Sequence, residues 1–238
     1  MYFPTTHWSV LADASLSGDA QDGRALDDFV RRYRAPIIGF IRAQGWTQPE
    51  AEDLAQEFFL HVIRKGTLGR ADATRGRFRS FIRGTLARFL ASARIHASAE
   101  KRGGRTSLVS LDDELVPEQA VATPPEQAAR FDRDWAVHLL EMSVARLAAR
   151  FAEDGRQEDF SLLRRFLPGG VDTPSYADGA ARLGLSMAAF KTEVHRLRRN
   201  LRENLLQEVS LTIDSPHEID QEMQHLQRAL AGEPGMAV

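Results

Sequence analysis

An all-α fold, two small helical domains joined by an acidic linker with one more helix at the C-terminus, is what three observations predict. Apolar residues recur at helical period along nearly the whole chain, and no convincing alternating strand interrupts them. Between Ser175 and Arg202 the spacing is that of a helix-turn-helix. From Arg105 to Gln127 a polar, acidic stretch punctuated by Pro117, Pro124 and Pro125 separates two periodic halves. The resulting boundaries are an N-terminal extension over 1–24, a first domain over 25–103, a linker over 104–128, a second domain over 129–207 and a C-terminal extension over 208–238.

The first helical stretch, Leu26 to Ala43, carries Phe29, Val30, Tyr33, Ile37, Ile38 and Ile41. Pro36 removes one backbone donor inside it, so one kinked helix or two short ones are expected. Thr47 opens a capping box closed by Glu50, and the helix that follows runs to about Arg64. Its wide apolar stripe is Ala51, Leu54, Ala55, Phe58, Phe59 and Val62, and the 3.6-residue period gathers Asp53, Gln56, Glu57 and Leu60 on the other side. A leucine among acids suits a plain solvated face and also a partner-binding patch. A third stretch spans Phe78 to His96, and Gly103-Gly104 ends the periodicity. It resumes at Phe131, Trp135, Leu139 and Met142, then Phe160, Leu163 and Phe166. The last segment has Ser215 as N-cap, Pro216 at the first helical position, Glu218 as box partner and a stripe of Ile219, Met223, Leu226 and Leu230. It reads as a packing helix appended to the second domain.

In the helix-turn-helix, Ser175 caps a first helix with Tyr176, Ala180 and Leu183 inward, Ala180 being small enough for a second helix to cross close to it. Gly184 supplies the left-handed backbone that a short turn requires. Leu185 plugs the core and Ser186 caps the second helix, which buries Phe190, Val194 and Leu197 and leaves Met187, Ala188, Lys191, Thr192, His195, Arg198 and Arg199 outside. That face is small and polar at its start and cationic toward its end, as a major-groove reader requires. A helical hairpin inside a core shares the same offsets.

The chain of 238 residues is 43% hydrophobic, with a net charge of −2 that gives no global hint of nucleic acid. The neutrality hides a segregation. From Arg64 to Arg105 there are twelve basic residues against Asp72 and Glu100 alone, a local excess of ten positive charges interleaved with Phe78, Phe81, Leu86 and Phe89. Absent cysteines, the lack of a charged-then-apolar N-terminal segment and the lack of a membrane-length apolar run predict a soluble cytoplasmic protein.

At this point the chain resembles a known family. The run AEDLAQEFF (Ala51 to Phe59), preceded by Tyr33 and Pro36 in a Tyr-x-x-Pro motif, is similar to the second conserved region of bacterial RNA polymerase sigma factors of the sigma-70 family. FRSFIRGTLARFLASARIHASAEKRGG (Phe78 to Gly104) follows at the spacing of the part that melts and reads the promoter, and the helix-turn-helix resembles the fourth region. With only the acidic linker between them, the order matches the two-domain extracytoplasmic-function (ECF) group, and TTHWSVL near the N-terminus is similar to a multi-helical subgroup. The resemblance implies that Asp53, Gln56, Glu57 and Leu60 dock core RNA polymerase. It implies that Arg88 and Ser92 contact bases of the minus-ten element of promoter DNA, while Arg94, Lys101 and Arg102 contact phosphates. For the minus-thirty-five element it places Lys191 and His195 at base edges, Thr192 at base or phosphate, and Arg196, Arg198 and Arg199 mainly on the backbone. Phe81 stands where the family often has tryptophan, with core packing its expected role. Glu193 stands where many relatives have arginine; either it accepts from a cytosine amine or it pairs with a nearby cation. An anti-sigma factor or a regulatory kinase is a further partner of the kind the family uses.

No paired histidines at metal spacing, no glycine-rich phosphate loop after a strand and no nucleophile elbow occur, so the expectation is a protein without catalysis, metal or cofactor. The alternatives are a two-domain helix-turn-helix regulator that binds an operator without core polymerase, and a sigma-like adaptor that binds polymerase without reading promoters.

Overall fold

A computed structural model describes residues 20–70, 77–101, 123–213 and 218–232, and within these only the backbone of 20–22, 69–70 and 96–101. The chain is all-α, as expected: eight α-helices and no strand occur among the described residues. They are α1 (Ala20–Ala43), α2 (Gln48–Arg64), α3 (Phe78–Lys101), α4 (Pro125–Glu153), α5 (Gln157–Leu163), α6 (Tyr176–Arg182), α7 (Met187–Ser210) and α8 (Ile219–Ala231), with 3-10 turns at Thr67–Arg70 and Arg164–Phe166. Two compact units result, Met1–His138 with Ser210–Val238, and Leu139–Val209. No described helix is long and apolar enough to cross a membrane.

In the first unit α1 runs unbroken through Pro36, so the option of two short helices is not the one taken. Phe29, Tyr33, Ile37 and Ile41 repeat every four residues and are buried. They meet α2 and α3 through edge-on rings: Phe29 lies 5.5 Å from Phe59 and 6.0 Å from Phe78, and Tyr33 lies 5.8 Å from Phe78. Each such pair adds about 0.5–1.5 kcal/mol beyond its buried area. Phe58 closes the other side against Phe89 at 5.6 Å. The N-terminus of α2 is fixed by the expected box: the Glu50 carboxylate accepts from the Thr47 backbone N–H at 2.8 Å and from its hydroxyl at 2.7 Å.

Two departures concern the later helices. Helix α4 begins at Pro125, so the end of the 104–128 stretch is already helical, while 104–122 lies outside the described residues. Its first turns, through His138, belong to the first unit, where Phe131 and Trp135 are wholly buried and Phe131 meets Phe40 edge-on at 5.8 Å. The C-terminal helix also corrects the sequence reading. It packs in the first unit, not with the second, because Glu222 and His225 on its inner face find Arg77, Arg79 and Asp132 there. The cap assigned to Ser215 and Pro216 lies outside the described residues, as does TTHWSVL.

The second unit is built on Leu139, Leu147, Phe160, Leu163, Phe166, Phe190, Val194, Leu197, Leu201 and Val209. Its polar interior is satisfied: the Asn204 amide donates to the Ser143 carbonyl at 3.1 Å, and the fully buried Glu208 pairs with Arg146.

Candidate nucleic-acid interface

Helix α6, a turn and helix α7 reproduce the expected helix-turn-helix, and its joints are specific. Ser175 Oγ accepts from the Asp178 backbone N–H at 3.1 Å, and Ser186 Oγ accepts from that of Ala189 at 3.2 Å, so both helices start on a side-chain cap. Gly184, at φ +64°, ends α6: Leu185 N–H reaches back to the Ala180 carbonyl at 2.9 Å and Gly184 N–H to that of Ala181 at 3.2 Å. These two bonds make a Schellman motif, which turns the chain sharply into α7. The two helices approach closely at Gly179, next to the buried Ala180. A Cβ on Gly179 would stand 2.4 Å from the Phe190 ring and 3.1 Å from Phe166. Phe166, Tyr176 and Phe190 form a three-ring cluster with centroids 5.1–5.8 Å apart around this point.

This packing turns Met187, Ala188, Lys191, Thr192, His195, Arg196 and Arg199 toward solvent, leaving Phe190, Val194 and Leu197 inside. Thr192 donates its hydroxyl proton to the Ala188 carbonyl at 3.0 Å, which leaves its hydroxyl oxygen free to accept. Arg199 lies 3.6 Å from Glu203 on the open surface. Glu193 pairs with Arg196 at 3.2 Å and approaches Arg156 at 4.0 Å. Arg198 differs from its neighbours. Its Nε and Nη2 donate to the Phe166 carbonyl at 3.0 and 2.8 Å, so this guanidinium clamps α7 to the turn before α6. The expected backbone contact from Arg198 would therefore come from a side chain that also holds the Phe166 carbonyl.

The α3 stretch departs more from expectation. Arg79 has 2% of its side chain exposed, its Nε lies 3.1 Å from Asp132, it meets Glu222, and its guanidinium sits 4.9 Å over the Trp135 ring. Arg83 reaches the same Asp132 oxygen at 3.4 Å and Arg77 reaches Glu222 at 2.9 Å. The local positive excess is therefore partly neutralised by acids from α4 and α8. Burial lowers the pKa of Arg79 to about 10, leaving it charged at neutral pH. Burial pushes the Asp132 carboxyl upward, but the hydrogen bond to His225 and the charges of Arg79 and Arg83 outweigh it, for a net lowering.

Of the minus-ten candidates, Arg88 is half-buried, with Nη2 3.3 Å from Thr85 Oγ1. Ser92 is buried, and its Oγ finds no partner among the described residues. It lies on the apolar stripe one turn after Phe89. Arg94 is exposed but donates to the Gln44 carbonyl at 2.6 Å, covering the end of α1. The side chain of Lys101 and the whole of Arg102 lie outside the described residues. Phe81 is half-buried and stacks on Phe78 at 6.2 Å, which fits the packing role.

The α2 candidates hold together. Asp53, Gln56, Glu57 and Leu60 are all exposed on one helix face, Leu60 with 42% of its surface open, while Ala51, Ala55, Phe58, Phe59 and Val62 fix the opposite face in the core. Asp132 and Glu222 went unnoticed in the sequence. The signal was present: each is an acid on the apolar face of its helix, beside Phe131 and Trp135 in one case and Met223 and Leu226 in the other. No group of residues able to hold a metal ion occurs among the described residues. No family model, curated protein or solved structure matches the chain.

Proposed function

We propose that this protein is an ECF-type sigma factor, which binds core RNA polymerase through α2 and reads promoter DNA through α7. The observation that carries the reading is the exposed Asp53, Gln56, Glu57 and Leu60 face: it has no role in the packing of α2, yet it joins three polar residues to a bare leucine, the chemistry of a protein-docking patch. The helix-turn-helix supplies the second half. Lys191, His195, Arg196 and Arg199 are exposed on α7; in this reading the first two contact base edges and the two arginines contact phosphates. Cationic side chains there displace counterions and give affinity that falls steeply with salt, while the base-edge contacts give sequence preference. On α3, Arg88 remains the candidate for unpaired bases.

The test is co-purification with core enzyme and run-off transcription. Asp53→Lys with Leu60→Ala should abolish both while leaving helicity unchanged; retention of core by the double variant refutes the reading. A second reading, an operator-binding regulator that works without polymerase, is favoured by one observation: Arg79 and its neighbours on α3 are engaged by acids of the same chain. Permanganate reactivity of promoter thymines in the presence of core enzyme separates the two, since a simple regulator leaves the duplex closed.

A further inference from the structure

We propose that Arg77, Arg79 and Arg83 form a phosphate-binding site that helix α8 occupies with Glu222, and that undocking of α8 opens this site to the nucleic-acid backbone. This deepens the reading above and rests on it. The three guanidinium groups come from the N-terminal end of α3 and the residue before it, and among the described residues they converge on two carboxylates, Asp132 and Glu222. Among the described residues the cluster thus holds three cations against two carboxylates. Glu222 takes the place a phosphate would take. One of its oxygens meets Arg77 at 2.9 Å, the other meets Arg79, and its side chain is 4% exposed. Two guanidinium groups gripping one oxyanion is the arrangement arginines make with phosphodiesters.

The two acids differ in how they are held. Asp132 belongs to α4, whose Phe131 and Trp135 anchor it deep in the unit. Glu222 sits on α8, a helix of 13 residues anchored by Met223, Leu226 and Ala229, with Asp220, Gln221, Gln224, Gln227 and Arg228 facing solvent. A helix this short is marginal by itself in water, so its folding and its docking are one event. A buried ion pair adds little net stability over an apolar contact of the same size. What it does supply is a contact that another anion can replace. The contact of His225 with Asp132, 3.2 Å, would be lost in the same step.

The experiment uses the full chain, with a short fluorescent single-stranded DNA as the probe. Glu222→Gln keeps the shape and removes the charge. It should speed hydrogen exchange over 219–231, tighten binding on the order of tenfold at low salt, and steepen the salt dependence by about one to two phosphate contacts. Adding Arg77→Ala, at a side chain already 40% exposed, should cancel the gain. In the unsubstituted protein, saturating DNA should itself speed exchange in α8, a readout independent of whether the variants fold. Faster exchange without tighter binding, or α8 protection untouched by DNA in the unsubstituted protein, overturns the proposal. Failure of the broader reading looks different: duplex binding that is indifferent to Lys191→Ala removes the DNA reader itself.

Discussion

Helices α3 and α7 are both arginine-rich, and the chain uses them in opposite ways. On α7, Lys191, His195, Arg196 and Arg199 stand in solvent, held at most by surface pairs such as Arg199 with Glu203. On α3, Arg79 is sunk to 2% exposure between two carboxylates and an indole ring. Both helices alternate cations with aromatic or aliphatic anchors, so composition does not separate them. The difference lies 53 residues or more away in sequence, where Asp132 and Glu222 are brought back against α3. A linear excess of charge is therefore not a surface potential: it becomes one only where no distant acid is folded onto it.

The largest test of this contrast is Arg79→Ala. It removes the cation shared by two carboxylates, and although Glu222 keeps Arg77 and Asp132 keeps Arg83 and His225, the loss should reach about 3 kcal/mol, the low end of the penalty for breaking a buried pair. Urea unfolding should show the loss in the first unit. A cost under about 1 kcal/mol would mean that Arg79 is as lightly held as the α7 cations.

Next comes Arg198→Ala, which separates the one committed arginine of α7 from its neighbours. Two charge-assisted bonds to the Phe166 carbonyl disappear, for an expected loss of about 1.5–3 kcal/mol in thermal or chemical unfolding. Duplex affinity should fall only as far as the unit loosens. If stability is unchanged and affinity drops for every duplex alike, Arg198 belongs with the phosphate contacts after all. Gly179→Ala probes the same joint from α6. A methyl group 2.4 Å from the Phe190 ring must push one of the three packed rings aside, at about 1–3 kcal/mol. A melting temperature equal to that of the unsubstituted protein would show that the crossing is looser than its geometry.

What the sequence reveals of this fold is what neighbours in sequence decide. The Thr47–Glu50 box, the Ser175 cap, the left-handed Gly184 and the sidedness of α2 all follow from offsets of one to four residues. The burial of Ser92 is legible too, since the period that buries Ile82, Leu86 and Phe89 reaches it. That a Cβ at Gly179 would meet the Phe190 ring depends on the crossing geometry of α6 and α7, which offsets along the sequence do not give. The seat of α8 was hidden for a longer-range reason. An amphipathic helix declares that it packs, and only the pairing of Glu222 with α3 declares where.

The smallest expected effect falls on Glu193, and it bears most directly on the use of the α7 cations. Its carboxylate lies 3.2 Å from Arg196 and 4.0 Å from Arg156, with Arg196 55% exposed, so the pair is a surface one worth about 0.2–1 kcal/mol. Glu193→Gln should leave the unfolding midpoint nearly where it was. It should also free Arg196 for the phosphate backbone and steepen the salt dependence of duplex binding by about one contact, with the preference among sequences retained. A gel-shift titration across salt, run on duplexes differing at single positions, reads both quantities. Loss of preference at a cytosine-containing position would show instead that Glu193 turns from Arg196 to a base amine when DNA arrives. The exposed helix would then discriminate with an acid as well as with its cations.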